Sequence, residues 1–330
     1  MLDLISYSPL RISFAGGGSD ISPFVDMFGG AVLNTTVDLG VTVRYRHDDL
    51  PLEIASRDFV RSCIYPVYSR RQAGITGNIL DLEMEMGVRT GRIIISNDVP
   101  PGSGLGSSSA LTVASVKLAD FIGKMGMDSM EIAESAYRAE RERFGITLGK
   151  QDPYAVTFGG MKLTIFEPGG GVRILSDISR SITDSISRGI ILVYTGKTRE
   201  SSIILSDQVK KSSGGDPKVT LRLGQLRDLA ITMWDHLKDG NLYGFYEGIN
   251  KGWEIKKDLS PMVTNDRVDR IISTAMKNGA EASKLLGGGS QGFVLVMCRE
   301  ERTENLARAL SRISRYVIRA GIDYSGARIY

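Results

Sequence analysis

Pro100-Pro101-Gly102-Ser103-Gly104-Leu105-Gly106-Ser107-Ser108-Ser109-Ala110 sets alternating glycines directly ahead of a long apolar-periodic segment. Behind it, Leu111, Val113, Ala114, Val116, Leu118, Phe121 and Ile122 keep an apolar surface at helical spacing, which predicts a helix from Ser107 to Gly123. The first amides of such a helix have no carbonyl partner inside it, and the helix dipole makes that end electropositive. Glycine lets the preceding backbone curl with no side chain in the way, so the stretch reads as a phosphate cradle. A serine-capped glycine turn is the plainer alternative. Two familiar glycine loops do not fit. A Walker A loop ends in Gly-Lys-Ser/Thr, whereas Gly106 is followed by Ser107 and no lysine comes before Lys117. The dinucleotide fingerprint runs G-x-G-x-x-G, whereas these glycines alternate. Phosphate charge must therefore be neutralised by a metal ion, the helix terminus and residues elsewhere in the chain.

The 330-residue chain is 42% hydrophobic, enough for a full core in one large or two medium domains. Its net charge of +3 gives no reason to invoke nucleic acid or an anionic membrane. Cys63 and Cys298, the only cysteines, point to a reducing compartment and exclude a disulfide framework or a cysteine zinc cluster. With His47 and His236 as the only histidines, a histidine metal site or a Ser-His-Asp triad is disfavoured. No run is long enough to span a bilayer, and Asp3 and Arg11 break any signal-peptide core. A cytoplasmic location is expected.

Strands are expected at Leu10 to Ala15, Ala31 to Val37, Val41 to Arg46 and Gly91 to Ser96, and a charged helix at Ser129 to Phe144. A strand at Met161 to Phe166 and a buried strand at Ile190 to Tyr194 follow. Helices are expected at Ser201 to Lys211, Val219 to Lys238 and Asn241 to Asp258, with Leu226, Leu229, Met233, Trp234 and Leu237 as core. A helix at Asp266 to Lys277, a strand at Gly292 to Cys298, a helix at Glu300 to Ser314 and a last strand pair complete an α+β half. The domain boundary falls near Arg180, where serines and charges replace the apolar pattern, giving domains 1–180 and 181–330.

Ser8 to Asp20 places Arg11 inside an apolar strand that ends in Gly16-Gly17-Gly18-Ser19-Asp20. An arginine there either has an anionic partner or lies on an edge strand, and Asp20 is either a ligand group or a turn residue. Asp152, in Gly149-Lys150-Gln151-Asp152-Pro153, precedes a proline and is biased to extended backbone. A carboxylate there could orient or deprotonate a hydroxyl, and Glu140 could hold magnesium with a serine of the glycine loop, if it is not simply on a solvated face. Lys284 to Gly292 and Thr195-Gly196-Lys197-Thr198-Arg199 are further loops that could meet a ligand or an anionic group, or be plain turns.

In this order the motifs resemble the GHMP superfamily of small-molecule kinases, and within it the heptose 7-phosphate kinases. The resemblance implies an α+β fold of two domains: a ribosomal protein S5 domain 2-like N-terminal domain and a ferredoxin-like C-terminal domain. It also implies ATP bound on Pro101, Gly102, Ser103, Gly104, Leu105, Gly106, Ser107, Ser108 and Ser109, with Mg²⁺ on Ser108 and Glu140. Asp152 would be the catalytic carboxylate beside Arg11, and Gly17, Gly18, Ser19, Asp20, Arg199 and Gly288 would complete the sugar-phosphate site. The implied reaction phosphorylates the anomeric hydroxyl of a heptose 7-phosphate. A fucose-type or mevalonate-type kinase, an ATP-dependent decarboxylase of the same fold, or a regulator without turnover are the alternatives. Gly17-Gly18 stands where galactokinases carry Glu-His, and Met161-Lys162-Leu163 where heptose kinases more often carry an aromatic residue and an asparagine.

Overall fold

The computed structural model describes residues 3–57, 61–64, 70–196 and 216–330. Its strands are β1 (Asp3–Ala15), β2 (Gly30–Pro51), β3 (Glu53–Ser56), β4 (Arg61–Ile64), β5 (Thr90–Asn97), β6 (Met161–Phe166) and β7 (Val172–Leu175), then β8 (Ile190–Tyr194), β9 (Ala282–Leu285), β10 (Phe293–Met297), β11 (Val317–Arg319) and β12 (Arg328–Ile329). The helices are α1 (Phe24–Phe28), α2 (Arg70–Glu85), α3 (Ser107–Gly123), α4 (Ser129–Arg138), α5 (Gln151–Thr157), α6 (Arg180–Arg188), α7 (Pro217–Lys238), α8 (Leu242–Leu259), α9 (Asp266–Lys277) and α10 (Glu300–Ser311). The helix expected at Ser201 to Lys211 and the residues Lys197, Thr198 and Arg199 lie outside the described residues.

The first sheet runs β12-β1-β2-β5-β3-β4, with β6 and β7 continuing from β2. Its organising strand is β2, which pairs with β1 along its length, with β6 through its first residues and with β5 through its later ones. The residue pattern suggests two strands here with a turn between them. Instead the chain continues through a bulge: Pro9 faces Gly40 while Leu10 faces Val37, so Asp38 and Leu39 are the extra residues. The Asp38 carboxylate accepts from the Gly321 amide at 2.7 Å. Gly40 makes room for Tyr7, whose ring lies 2.3 Å from where a Cβ would stand.

β1 is buried without a break from Ser8 to Ala15, so Arg11 is in a central strand and not at an edge. α3 packs on this sheet; Ala110, Val113, Ala114, Val116 and Leu118 are buried, whereas Phe121 is exposed. The helix expected to run from Ser129 to Phe144 changes character midway. α4 starts with a capping box between Asp128 and Glu131, and a π turn, Ala139–Arg143, takes over after Arg138.

The second sheet has the order β11-β8-β10-β9, and its central strands β8 and β10 are buried on both faces. Ile191 and Val193 join a cluster with Ile271 and Leu306 of α9 and α10, while Ile190 and Leu192 point into the main core. Burial on both faces is why β8 and β10 read as continuous apolar runs. The residues expected as core on α7, Leu226, Leu229, Met233, Trp234 and Leu237, are all buried. The serine- and charge-rich stretch after Asp177 is α6, which anchors through Thr183 and Ile186. The last two strands do not pair with each other: β11 joins β8, and β12 returns to β1 with Ser6 opposite Ile329.

Candidate active site

The glycines at 102, 104 and 106 have φ of 72°, 77° and 75°, a left-handed series that side chains rarely adopt. Gly106 is the N-cap of α3 and carries no side-chain cap. The first helical hydrogen bond runs from the Ala110 amide to the Gly106 carbonyl at 2.9 Å, so the amides of Ser107, Ser108 and Ser109 stand outside the ladder. The serines do not cap the turn. The Ser108 and Ser109 hydroxyls donate instead to Oε1 and Oε2 of Glu140, at 2.9 and 2.6 Å.

Glu140 sits in the π turn and is fully buried, not on a solvated face. Burial pushes its carboxyl up to about 7, against the lowering effect of the Ser109 and Ser108 hydrogen bonds. A π turn inserts one residue into a helix and re-aims the side chains beyond it, a distortion frequent at functional sites.

Arg11 reaches the opposite wall. Its Nε and Nη2 donate to Oδ1 and Oδ2 of Asp152 at 2.8 and 2.6 Å, and its Nη1 donates to the Gly104 carbonyl at 2.5 Å. The pair is bidentate and joins residues 141 positions apart in sequence. Asp152 is helical, in the first turn of α5, and not extended as its following proline suggested. Pro153 is tolerated because first-turn amides need no carbonyl partner. Gln151 ties the wall together. Its Nε2 donates to Asp152 Oδ1 at 2.8 Å, its Oε1 accepts from Ser13 at 2.9 Å, and its amide donates to Asp20 Oδ2 at 3.0 Å. Asp20 also accepts from the Gly18 amide at 3.0 Å. Burial raises the Asp20 carboxyl above the usual range, and the nearby Asp152 adds to this against the two amides.

The glycine loop is held from outside as well. A Cβ on Gly104 would lie 2.6 Å from the Leu286 carbonyl oxygen, and one on Gly287 the same distance from Gly104 Cα. The Phe293 amide donates to the Ser103 carbonyl at 3.0 Å. Glycines 287 and 104 thus permit a backbone-to-backbone contact between the two loops.

Between these walls lies a cavity of about 260 Å³. Of the residues expected in the site, Arg11, Gly17, Gly18, Asp20, Gly102, Gly104, Gly106, Ser107, Ser108, Asp152 and Gly288 line it. Glu140 stands behind Ser108, with Ser109 beside it. Ser103 and Leu105 are fully buried and do not line the cavity, and neither does Pro101. Ser19 does not face it either: its hydroxyl donates to the Gly16 carbonyl at 2.7 Å and accepts from the Ala31 amide at 3.2 Å, fixing the turn. Arg199 lies outside the described residues. Sequence reasoning missed Ser13, Gln151, Lys256 and Lys284, all of which line the cavity. Ser13, Gln151 and Lys284 lay within the Ser8–Asp20, Gly149–Pro153 and Lys284–Gly292 stretches without being singled out, and Lys256 carried no signal.

Among the described residues no three His, Cys, Asp or Glu side chains cluster as a metal site, and no helix is long and apolar enough to cross a membrane. Residues 74–160 match the model of the GHMP kinases N terminal domain, and residues 234–314 that of the GHMP kinases C terminal domain. The chain is 31% identical to a D-glycero-alpha-D-manno-heptose 7-phosphate kinase of Campylobacter jejuni, over 96% of each chain. The crystal structure of a D-glycero-D-manno-heptose 1-phosphate kinase from Bacteroides thetaiotaomicron superposes with a TM-score of 0.79 at 25% identity, covering 99% of this chain and 98% of that one. Lactococcus lactis galactokinase, complexed with galactose, shares the fold at a TM-score of 0.78 and 16% identity, over 99% and 95% of the two chains.

Proposed function

Because the chain belongs to the GHMP kinase family, we propose that it transfers the γ-phosphoryl group of ATP to the anomeric hydroxyl of D-glycero-D-manno-heptose 7-phosphate. The observation that carries this reading is the bidentate Arg11–Asp152 pair, which shares one cavity with the uncapped start of α3. Kinases of this family use ATP as phosphoryl donor. The sugar is inferred from the heptose kinase that this chain matches over 96% of its length.

In the proposed site the amides that open α3 and the left-handed glycines receive the donor phosphates. Asp152 receives the acceptor. Its Oδ1 accepts from Arg11 and Gln151, whereas Oδ2 accepts from Arg11 alone and keeps the freer lone pair. The acceptor hydroxyl donates to Oδ2 and passes its proton there. Its oxygen then bonds to the γ-phosphorus as the bond to the bridging oxygen breaks and ADP leaves. Arg11 orients the carboxylate and lies beside the developing charge. Asp20, with Gly17 and Gly18, faces the sugar hydroxyls.

Ser108 and Glu140 fit a magnesium ion, since Glu140 is a buried carboxylate whose side-chain partners are hydroxyls and a cation would offset its burial. When bound, Mg²⁺ neutralises phosphate oxygens. We divide the chain into domains 1–180 and 181–330, with β12 returning to the first sheet. We assign the protein to the cytoplasm, in keeping with its two buried thiols.

An ADP-release assay across heptose 7-phosphate, hexoses, fucose and mevalonate tests the proposal. Mg²⁺-dependent release with the heptose phosphate, and a new anomeric phosphate by phosphorus NMR, is the expected result. Release with another acceptor alone, or of CO₂ from a hydroxy acid, would overturn it.

A further inference from the structure

Two amines in the cavity have no part in this reaction scheme, Lys256 on α8 and Lys284 on β9. The Lys284 ammonium is held against β1, donating to the carbonyls of Ser13 and Phe14 at 3.1 and 2.8 Å. Lys256 donates to the Gly287 carbonyl alone, which leaves two of its three N–H groups without a partner among the described residues. Burial is the main cause that brings Lys256 down to about 8, with the charge of Arg11 adding to it. Lys284 is also held well below the usual lysine range, by burial first and then by Lys256 and Arg11.

Among the described residues lining the cavity, Arg11, Lys256 and Lys284 face two carboxylates, Asp20 and Asp152, and Glu140, behind Ser108, is tied to the serine hydroxyls. Asp152 is paired with Arg11, and Asp20 accepts from backbone amides. A desolvated ammonium without a carboxylate is costly until an anion arrives, so this geometry favours an anionic occupant. Its position says which part of the ligand that is. Lys256 is tied to Gly287, whose backbone packs on Gly104 of the glycine loop, and Arg11 holds the Gly104 carbonyl from the other side. The ammonium thus stands where the donor loop meets the Arg11–Asp152 pair.

We propose that Lys256 is a catalytic residue that contacts the oxygens of the phosphoryl group as it passes from ATP to the acceptor. It supplies from α8 the cation that the glycine loop itself lacks. The inference rests on the kinase reading. Lys256 stays an ammonium throughout, because the acceptor proton goes to Asp152. The rival occupant of the same cation is the phosphate already carried by the acceptor.

Lys256→Met, which keeps length and removes charge, separates the two. The expected result is a kcat lower by about 100-fold with KM for the sugar phosphate unchanged, and partial recovery in Lys256→Arg. A second readout does not depend on turnover: acetic anhydride labelling of the wild-type protein at pH 8, followed by mass spectrometry. Lys256 should be labelled in the free protein and protected by Mg²⁺ with the β,γ-imido analogue of ATP, but not by ADP or by heptose 7-phosphate alone. Protection by the sugar phosphate alone, with KM raised and kcat kept, would overturn the proposal in favour of the acceptor's own phosphate. Unchanged kcat with no protection by the ATP analogue would overturn it outright. Failure of the wild-type protein to release ADP with any sugar phosphate would strike the kinase reading instead.

Discussion

Replacing Glu140 by Gln should make the free protein more stable at neutral pH while making it a poorer enzyme. The carboxyl is carried from 4.5 to about 7 by burial. At about 1.4 kcal/mol per pH unit, that interval corresponds to ~3 kcal/mol of destabilisation once the group is charged in the fold. The sign comes from proton binding. Between 4.5 and 7 the folded protein holds this proton more firmly than the unfolded chain. Stability is therefore full below 4.5 and falls as pH rises through 7. Glutamine keeps the shape and can still hydrogen-bond Ser108 and Ser109, but it does not titrate. Urea unfolding of both proteins is the assay. The variant should be more stable than wild type by ~3 kcal/mol at pH 8, and the gap should shrink to within about 0.5 kcal/mol at pH 4.5. Saturating Mg²⁺ and ATP analogue should narrow the gap at pH 8, because a bound cation compensates only the carboxylate. A gap that stays constant from pH 4.5 to 8 would refute the reasoning.

Two glycine substitutions test the cavity walls. Gly104→Ala places a Cβ at positive φ and 2.6 Å from the Leu286 carbonyl oxygen. It should cost about 2 kcal/mol and weaken ATP binding by calorimetry; unchanged affinity and stability would contradict the loop-to-loop contact. Gly149→Ala puts a Cβ 1.9 Å from Asp20 Oδ2, which must then leave the Gln151 amide. The KM for the sugar should rise about tenfold with the KM for ATP kept, consistent with the loss of a charged hydrogen bond worth about 1.5–3 kcal/mol; a rise in the ATP KM instead would place Asp20 on the donor side.

The parts legible in the sequence are those whose causes are local. α3 starts at Ser107 because three left-handed glycines end there and an apolar stripe begins. The run Ile190 to Tyr194 is a strand because both of its faces are buried. Arg11 invited a partner, but its pairing with Asp152 joins residues 141 apart, which no spacing rule reaches; the family resemblance supplied that link. Local rules misled where tertiary contacts decide. The proline after Asp152 pointed to extended backbone, yet it sits in a first turn, and Asp38 to Gly40 looked like a turn but bulges within one strand. Lys256 was invisible because it lies among charged neighbours on α8, and its contact with the Gly287 carbonyl comes from a loop 31 residues away.

The role given to Asp152 is decided by steady-state phosphorylation of heptose 7-phosphate with wild type and Asp152→Asn. Asparagine keeps an acceptor for Arg11, and the circular dichroism spectrum shows whether the variant is folded. The account predicts Mg²⁺-dependent ADP release by wild type, and a loss of about 10³-fold or more in the variant with ATP affinity retained. A folded Asp152→Asn protein that turns over at the wild-type rate would contradict it.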